Sequence, residues 1–341
     1  MMNNLVTWGL IGYGKFGKKI EDSFFQTKYS KLSSIASKSF ESKTNEEKSL
    51  IKDKTLYQSY DDLINDKTIN SVYIATTNNF HKELIILSAK NKKNIICEKP
   101  ACLNTNDFEE CLYEVKKNKV FFMEGLMYLH HPQIIKAIEL IKNGEIGEIE
   151  KVNSSFGYRI GKKLFFLELK KIDTKARIFN PLLGGGAIYD LGCYPITAAI
   201  LFFNLTSHTN RVKNSEFMRN DGRYGVDENA EAKLYFESGG EANLKVSIRK
   251  DLENTIQIIG TKGEIKIPYP WKAPMESNIE IKTGQKVIQI NTSLKQDIYA
   301  LEIDNASKAI ISNKTEIDFP GISIERSLEY IKIMDNWKNK E

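Results

Sequence analysis

Arginine is scarce in this chain. Of its 49 basic residues only seven are arginine; the lysines that make up the rest are scattered over 341 positions and balanced by 44 acidic residues, for a net charge of +5. An even scatter makes a solvated surface, whereas a nucleic-acid face needs a basic stripe or patch, so no nucleic-acid partner is expected. Cysteine is scarcer still. Cys97, Cys102, Cys111 and Cys193 form no CxxC pair and have no histidine at ligand spacing beside them, which argues against a bound metal and leaves free thiols of a reducing compartment. No apolar run approaches the ~20 residues of a membrane helix. The opening "MMNNLVTWGLIGYG" passes directly into a strand without the pattern of a signal peptide. A soluble, cytoplasmic protein without a membrane partner is expected. Repeats and low-complexity linkers are missing as well, so two tightly joined domains are expected, each with its own core.

What is present falls into two styles. Up to about Gly125, short apolar strands alternate with helical segments: Leu5 to Ile11, Leu32 to Ala36, "INSVYIATT" (69–77), "KNIICEK" (93–99) and "KVFFMEG" (119–125) read as strands. Helices are expected from the glycine loop to about Thr27, over 60–66, from His81 to Asn91 and over 104–118, the last capped by Asn104 or Thr105. Such alternation gives a parallel, doubly wound sheet with right-handed crossovers. Beyond Gly125 comes a helix from Pro132 to Lys142, a long strand within 145–160, and alternating apolar and polar residues over 228–290. That period of two marks antiparallel strands with one covered face. The expected fold class is α/β: a Rossmann domain over 1–125, an α/β domain with a large open sheet over 126–322, and a C-terminal helix within 323–341.

"LIGYGKFGKKI" (10–20) sets Gly12, Gly14 and Gly17 between a strand and a helix. The first glycine permits a tight turn, the second lets a pyrophosphate approach the backbone, and the third lets the helix pack on the strand; the free N–H groups of the helix N-terminus then face the phosphates. Tyr13, Lys15 and Phe16 lie within this loop. An acid about twenty positions on would hold the ribose 2′-hydroxyl of NAD. Here Ser37, Lys38 and Ser39 occupy that place and the first acid is Glu41. A lysine and two hydroxyls suit a 2′-phosphate, so NADP is expected, with NAD as the alternative and a merely solvated Lys38 as the competing reading.

"NIICEKP" (94–100) ends an apolar strand on Glu98, Lys99 and Pro100. Strand tips at the carboxyl edge of a doubly wound sheet face the ligand crevice, so Lys99 is expected to project toward the cofactor's nicotinamide end. The competing reading is a surface Glu–Lys pair in a loop. On "LGGGAIYDLGCYPI" (183–196), Asp190 and Tyr194 are four residues apart and share one face of a helix expected from Ala187 to Phe203; the triple glycine before it permits close approach to a ligand. Against this stand a core tyrosine and an aspartate favoured by the helix dipole.

With "GYGKFG", "YIATTNNFHKE" (73–83), "CEKP" (97–100), "MEGLMYLHHPQ" (123–133) and "LGGGAIYDLGCYPI" in order, the chain resembles the glucose-fructose oxidoreductase / inositol dehydrogenase / MocA-type family. Its "EGLMY" and "GCYP" variants are closest to the branch of dimeric dihydrodiol dehydrogenase and NADP-dependent xylose dehydrogenases. The resemblance implies Lys99 as a catalytic residue with Glu98 positioning it, Tyr194 as a second acid/base group following Asp190, and Asn78, Asn79 and His81 beside the nicotinamide ribose, with Thr76 and Thr77 on the same loop. It further implies a homodimer or homotetramer through the second domain's sheet.

The chemistry expected is oxidation of a secondary alcohol in a sugar, polyol or cyclic diol. Tyr194 takes the hydroxyl proton, helped by the Lys99 ammonium, which favours the phenolate; in reverse, Tyr194 is the acid and Lys99 stabilises the alkoxide. Two alternatives stay open: a nucleotide-sugar dehydrogenase of surface polysaccharide synthesis, and a cofactor-binding regulator without turnover. Arg177 is read as a substrate contact or a surface ion pair, Tyr128 as a pocket or core tyrosine, and His130–His131 as structural.

Overall fold

The computed structural model describes residues 5–41, 51, 53–161, 163–164, 167–168, 176–205, 210–222 and 224–339. Residues 1–4, part of the opening read for a leader peptide, lie outside the described residues. By packing, the chain divides into one unit of Met1–Met127 with Gln296–Leu328 and a second of Tyr128–Lys295 with Glu329–Glu341.

The first unit runs β1 (Val6–Ile11), α1 (Lys15–Phe24), β2 (Ser30–Ala36), β3 (Thr55–Tyr57), α2 (Tyr60–Asn65), β4 (Ser71–Ile74), α3 (His81–Lys90), β5 (Asn94–Glu98), α4 (Thr105–Asn118) and β6 (Phe122–Gly125). Its six strands pair in the order β3-β2-β1-β4-β5-β6, all in parallel. The order reverses between β1 and β4, the switch point where open sheets take ligands. Trp8, Leu10, Val72, Tyr73, Ile74, Ile95 and Ile96 are fully buried, as expected of strands covered on both faces. Caps set the helix starts: Ser59 Oγ accepts from Asp62 N at 3.3 Å and Asn104 Oδ1 from Asp107 N at 2.9 Å.

The second unit opens with α5 (Pro132–Lys142), β7 (Ile149–Gly157) and a short pair, β8 (Lys163–Leu164) and β9 (Leu167–Glu168). Then come α6 (Cys193–Phe203) and seven strands: β10 (Val212–Asp221), β11 (Asp227–Phe236), β12 (Glu241–Ser247), β13 (Thr255–Gly260), β14 (Glu264–Pro268), β15 (Asn278–Thr283) and β16 (Lys286–Asn291). Eight strands form one sheet, β10-β11-β12-β7-β13-β14-β15-β16, antiparallel throughout except where β12 runs parallel to β7. Along β7, Val152 and Phe156 are buried while Lys151, Asn153 and Ser155 are half-buried, the alternation of a sheet covered on one face.

Two helices close the chain: α7 (Ile298–Ile311) and α8 (Ile324–Asn339). Helix α7 packs on the first unit's sheet. Trp8 Nε1 donates to Ser307 Oγ at 3.1 Å, and Asp304 accepts from the backbone N–H of Lys28 and Tyr29 at 2.9 and 3.0 Å.

Two expectations need correction. The helix read as starting at Ala187 begins with a π turn over Ile188–Gly192, and regular α geometry starts at Cys193. The buried Asp227 carboxylate takes the Ile188 N–H at 2.7 Å, so this donor of the opening turn is satisfied from outside the helix. An apolar stretch of spanning length does exist, Pro181–Phe203, but 89% of its best window is buried inside the protein; the wide, all-round apolar surface that this α6 segment needs as a core helix mimics a membrane signal.

Candidate active site

Gly12 follows β1 with φ +97°, in the left-handed region, and a Cβ there would stand 2.8 Å from the Ala75 carbonyl oxygen. The loop after β4 thus lies against the glycine turn. A Cβ on Gly17 would stand 2.1 Å from the Gly12 carbonyl oxygen, whereas one on Gly14 would meet nothing within 4 Å. Two of the three glycines are therefore required by the chain's own packing; the third leaves open space at the N-terminus of α1, whose first-turn N–H groups favour anions. Tyr13 is hydrogen-bonded to Glu21, and burial with that carboxylate pushes its phenol well above the usual range. Its ring packs on Phe40 at 5.6 Å, while the Phe16 ring meets Tyr299 at 5.5 Å; both aromatics of the loop brace it. Lys15 is exposed at the start of α1.

At the end of β2, Ser37 Oγ caps a short 3-10 turn, accepting from Ser39 N at 3.3 Å and lying 2.8 Å from Ser39 Oγ. The ammonium of Lys38 sits over two rings, 4.9 Å from the centre of Phe80 and 5.6 Å from that of Tyr60. Lys38 is thereby held by cation–π contacts rather than waving free. The sequence offered no signal for either ring partner, since they come from the starts of two different segments.

The loop after β4 carries two buried atoms without a partner, Thr76 Oγ1 and Asn78 Nδ2. Thr77 Oγ1 donates to Asn79 Oδ1 at 2.7 Å. His81 is fully buried, with Nδ1 2.9 Å from the Pro100 carbonyl and Nε2 3.2 Å from that of Thr76, so its ring ties this loop to the end of β5. There the strand ends on Glu98, and Lys99 joins Pro100 through a cis peptide bond. Glu98 Oε1 accepts the Tyr73 hydroxyl at 2.7 Å. Burial pushes the Glu98 carboxyl up to about 7, against the lowering effect of the Tyr73 hydrogen bond and the Lys99 ammonium. Buried hydrogen-bonding atoms rarely go unpaired. Thr76 and Asn78, on the loop whose Ala75 and Thr76 lie against the glycine turn, fit a polar ligand such as a dinucleotide.

In the second unit, Asp190 is buried and held on both sides: its Oδ2 accepts from Tyr158 Oη at 2.8 Å, and its Oδ1 pairs with Arg177. Arg177 is thus an ion-pair partner of Asp190. Burial and the Asp190 charge together push the Tyr158 phenol up. Tyr158 was missed in the sequence, where nothing local marks it; it follows β7 and reaches Asp190 only through the fold. Tyr194 packs among aromatic rings, 5.3 Å from Phe156, 5.5 Å from Trp271 and 5.8 Å from Tyr128. Tyr128 is a core residue, its hydroxyl 2.8 Å from Thr197 Oγ1. Two of the three glycines make room for the chain itself: a Cβ on Gly185 would stand 2.7–2.8 Å from the Arg177, Ile178 and Asn180 carbonyls, and one on Gly186 2.5 Å from Asp227 Oδ1. Among the described residues no group of three or more metal-ligating side chains is found.

A parallel sheet with a glycine turn and unpaired buried polar atoms at its switch point defines a dinucleotide-binding unit. Residues 6–126 match the oxidoreductase family with an NAD-binding Rossmann fold, and residues 134–266 match the GFO/IDH/MocA C-terminal domain. The chain belongs to the GFO/IDH/MocA family of oxidoreductases. Trans-1,2-dihydrobenzene-1,2-diol dehydrogenase from Xenopus tropicalis is 29% identical over 64% of this chain and 61% of its own length. The NADP(+) D-xylose 1-dehydrogenase from Hypocrea jecorina is 28% identical over 72% of this chain and 64% of its own. The fold is shared with KijD10, a 3-ketoreductase from Actinomadura kijaniata solved with NADP and TDP-benzene, at a TM-score of 0.82 and 21% identity over 98% of this chain and 97% of that one.

Proposed function

We propose that this protein is an NADP-dependent dehydrogenase acting on a CH–OH group of a sugar, polyol or cyclic diol. The observation that carries the reading is the pair of unpartnered buried atoms, Thr76 Oγ1 and Asn78 Nδ2, on the loop that abuts Gly12 at the sheet's switch point. The Gly12–Gly17 loop, with Tyr13, Lys15 and Phe16, holds the pyrophosphate; Ser37 and the ring-held Lys38 take the 2′-phosphate; Thr76, Thr77, Asn78 and Asn79 line the nicotinamide ribose, with His81 fixing their loop. The names of the diol and xylose dehydrogenases to which the chain is similar support both the alcohol chemistry and the choice of NADP. The bound nicotinamide supplies the hydride acceptor. Lys99 steadies charge on the substrate oxygen, with Glu98 positioning its ammonium, while Tyr194 exchanges the hydroxyl proton and Asp190 is the polar anchor for the substrate, set by Arg177 and Tyr158. Residues 1–125, with 296–328 packed among them, act as the cofactor domain and the remainder of 126–322 as the substrate and assembly domain. A cytoplasmic homodimer or homotetramer through the second sheet completes the reading. Exposed Met218, Val287 and Ile288 on its outer strands favour such an assembly, and four buried free thiols favour a reducing compartment.

The test is a nicotinamide fluorescence titration followed by turnover on a panel of aldoses, inositols and cyclic diols. NADPH is expected to bind more tightly than NADH, and at least one panel member to be oxidised. Tight binding with silence across the panel would point to a regulator; preference for NADH would overturn the role of Lys38.

A further inference from the structure

Behind the end of β5 lies a group that the reaction scheme above does not use. Tyr73, in the middle of β4, is fully buried, and its one hydroxyl faces two carboxyl groups: Glu98 Oε1 at 2.7 Å and Glu302 Oε2, from α7, at 3.5 Å. Glu302 is itself fully buried, and its second oxygen, Oε1, has no partner in the protein. A Cβ on Gly125 would stand 3.1 Å from Glu98 Oε1 and 3.5 Å from the Tyr73 hydroxyl, so Gly125 of β6 lies directly against this pair. One hydroxyl proton cannot serve two carboxylates. It goes to the nearer oxygen, on Glu98, and the longer contact is satisfied only by a proton carried on Glu302.

The charges around the group point the same way. Glu98 has Lys99 as its next residue and Lys19 of α1 nearby, both cations favouring its ionised form. Around Glu302 the charges of Glu98 and of Asp297, which caps α7, favour the neutral form, against the lowering effect of the Tyr73 hydrogen bond. Tyr299, one turn earlier on α7, senses Glu98, Glu302 and Asp297, and its ring carries the Lys19 ammonium at 4.4 Å. A buried carboxyl with a carboxylate neighbour and no counter-ion keeps its proton. Burial first, and then the Glu98 charge, hold the Glu302 carboxyl well above the usual range.

We propose that Glu302 is a positioning residue that carries a proton in the working protein, donating it to the Tyr73 oxygen so that Tyr73 donates to Glu98 and keeps Glu98 ionised beside Lys99. The proposal rests on the reading of Lys99 as the reacting amine, but its first consequence does not. A carboxyl protonated in the fold and ionised in the unfolded chain takes stability away as pH rises from its unfolded value, ~4.3, toward its folded one. Glutamine mimics the neutral acid and is spared that cost.

Thermal melts of the full chain without ligands, from about pH 5 to 8, are compared for wild type and Glu302→Gln. The glutamine variant is expected to gain in melting temperature relative to wild type as pH rises. A difference between the glutamine variant and wild type that stays flat or falls toward neutral pH means an ionised Glu302 and overturns the proposal. The second arm follows kcat/KM against pH with NADP. Glu302→Leu, which cannot donate, is expected to move the acid limb up by about one unit, a roughly tenfold loss below the limb, with Glu302→Gln rescuing it. Tyr73→Phe, with no hydroxyl for Glu98, is expected to move the limb the same way even if the leucine variant fails to fold. Profiles identical to wild type for both Glu302→Leu and Tyr73→Phe overturn the positioning role. If wild type itself turns over nothing, the dehydrogenase reading fails, while the melts still decide whether Glu302 holds a proton.

Discussion

At the scale of single residues, the proposed chemistry rests on an amine and a phenol with different jobs. Lys99→Ala is expected to abolish turnover while NADP(H) still quenches or enhances fluorescence on binding, because the phosphates are held elsewhere, at the loop before α1. Normal turnover in that variant removes Lys99 from the mechanism. Tyr194→Phe is expected to lower kcat roughly 100-fold, the range for loss of a general acid or base, with the KM for cofactor little changed. An unaltered kcat would leave Tyr194 as one ring in the Phe156–Trp271–Tyr128 cluster. The motif residues were legible in the sequence because each sits at a position with a local signature: a glycine turn, a strand tip, an Asp and a Tyr four apart. Tyr158 and Glu302 were not, since each joins its partner across 32 and more than 200 positions respectively.

At the scale of elements, the glycine turn separates packing from binding in a way that can be measured. Gly17→Ala sets a methyl 2.1 Å from the Gly12 carbonyl oxygen, so the start of α1 must shift from β1; a lower melting temperature is expected, by several degrees for a cost of a few kcal/mol. Gly14→Ala meets no protein atom within 4 Å. It is expected to melt within about a degree of wild type, since its surroundings are open, while weakening dinucleotide affinity by filling the space above the helix N-terminus. If Gly14→Ala binds NADPH as tightly as wild type, the open space is not where the pyrophosphate lies. The same elements reveal the limits of reading by pattern. Periodicity located five strands and the four helices α1 to α4 of the first unit to within a few residues but missed β3 and α7, and "INSVYIATT" yields a strand only over Ser71–Ile74. There the remaining residues turn away to bring Thr76 and Asn78 into the loop. The π turn over Ile188–Gly192 left no trace in the sequence, because the carboxylate that takes the Ile188 N–H comes from Asp227.

At the scale of the whole molecule, two buried histidines tie stability to pH. His130 is 3% and His131 1% exposed, and burial pushes both imidazoles down to about 4. In the unfolded chain each binds a proton below its ordinary value of ~6.5, while the folded chain refuses it until about 4. Their contribution to stability is therefore complete above the unfolded value and is lost as pH falls through the folded one. Their share is expected to lower the urea midpoint at about pH 5.5 relative to 7.5, against the opposite drift from the raised Glu98 and Glu302 carboxyls. His131→Asn, which keeps a side chain able to cap α5, is expected to flatten part of that share; an equally steep slope in the variant takes His131 out of it. The sequence by itself determined the doubly wound sheet, the antiparallel second sheet, the glycine turn and the charged strand tip, because period, glycine and proline act over a few residues at a time. Only the tertiary structure decided that α7 returns to the first sheet, that Lys38 rests on Phe80 and Tyr60, and that Tyr73 stands between two glutamates. Those outcomes depend on which surfaces meet after collapse, and burial, charge and hydrogen-bond partnership between distant segments exist only once they have met.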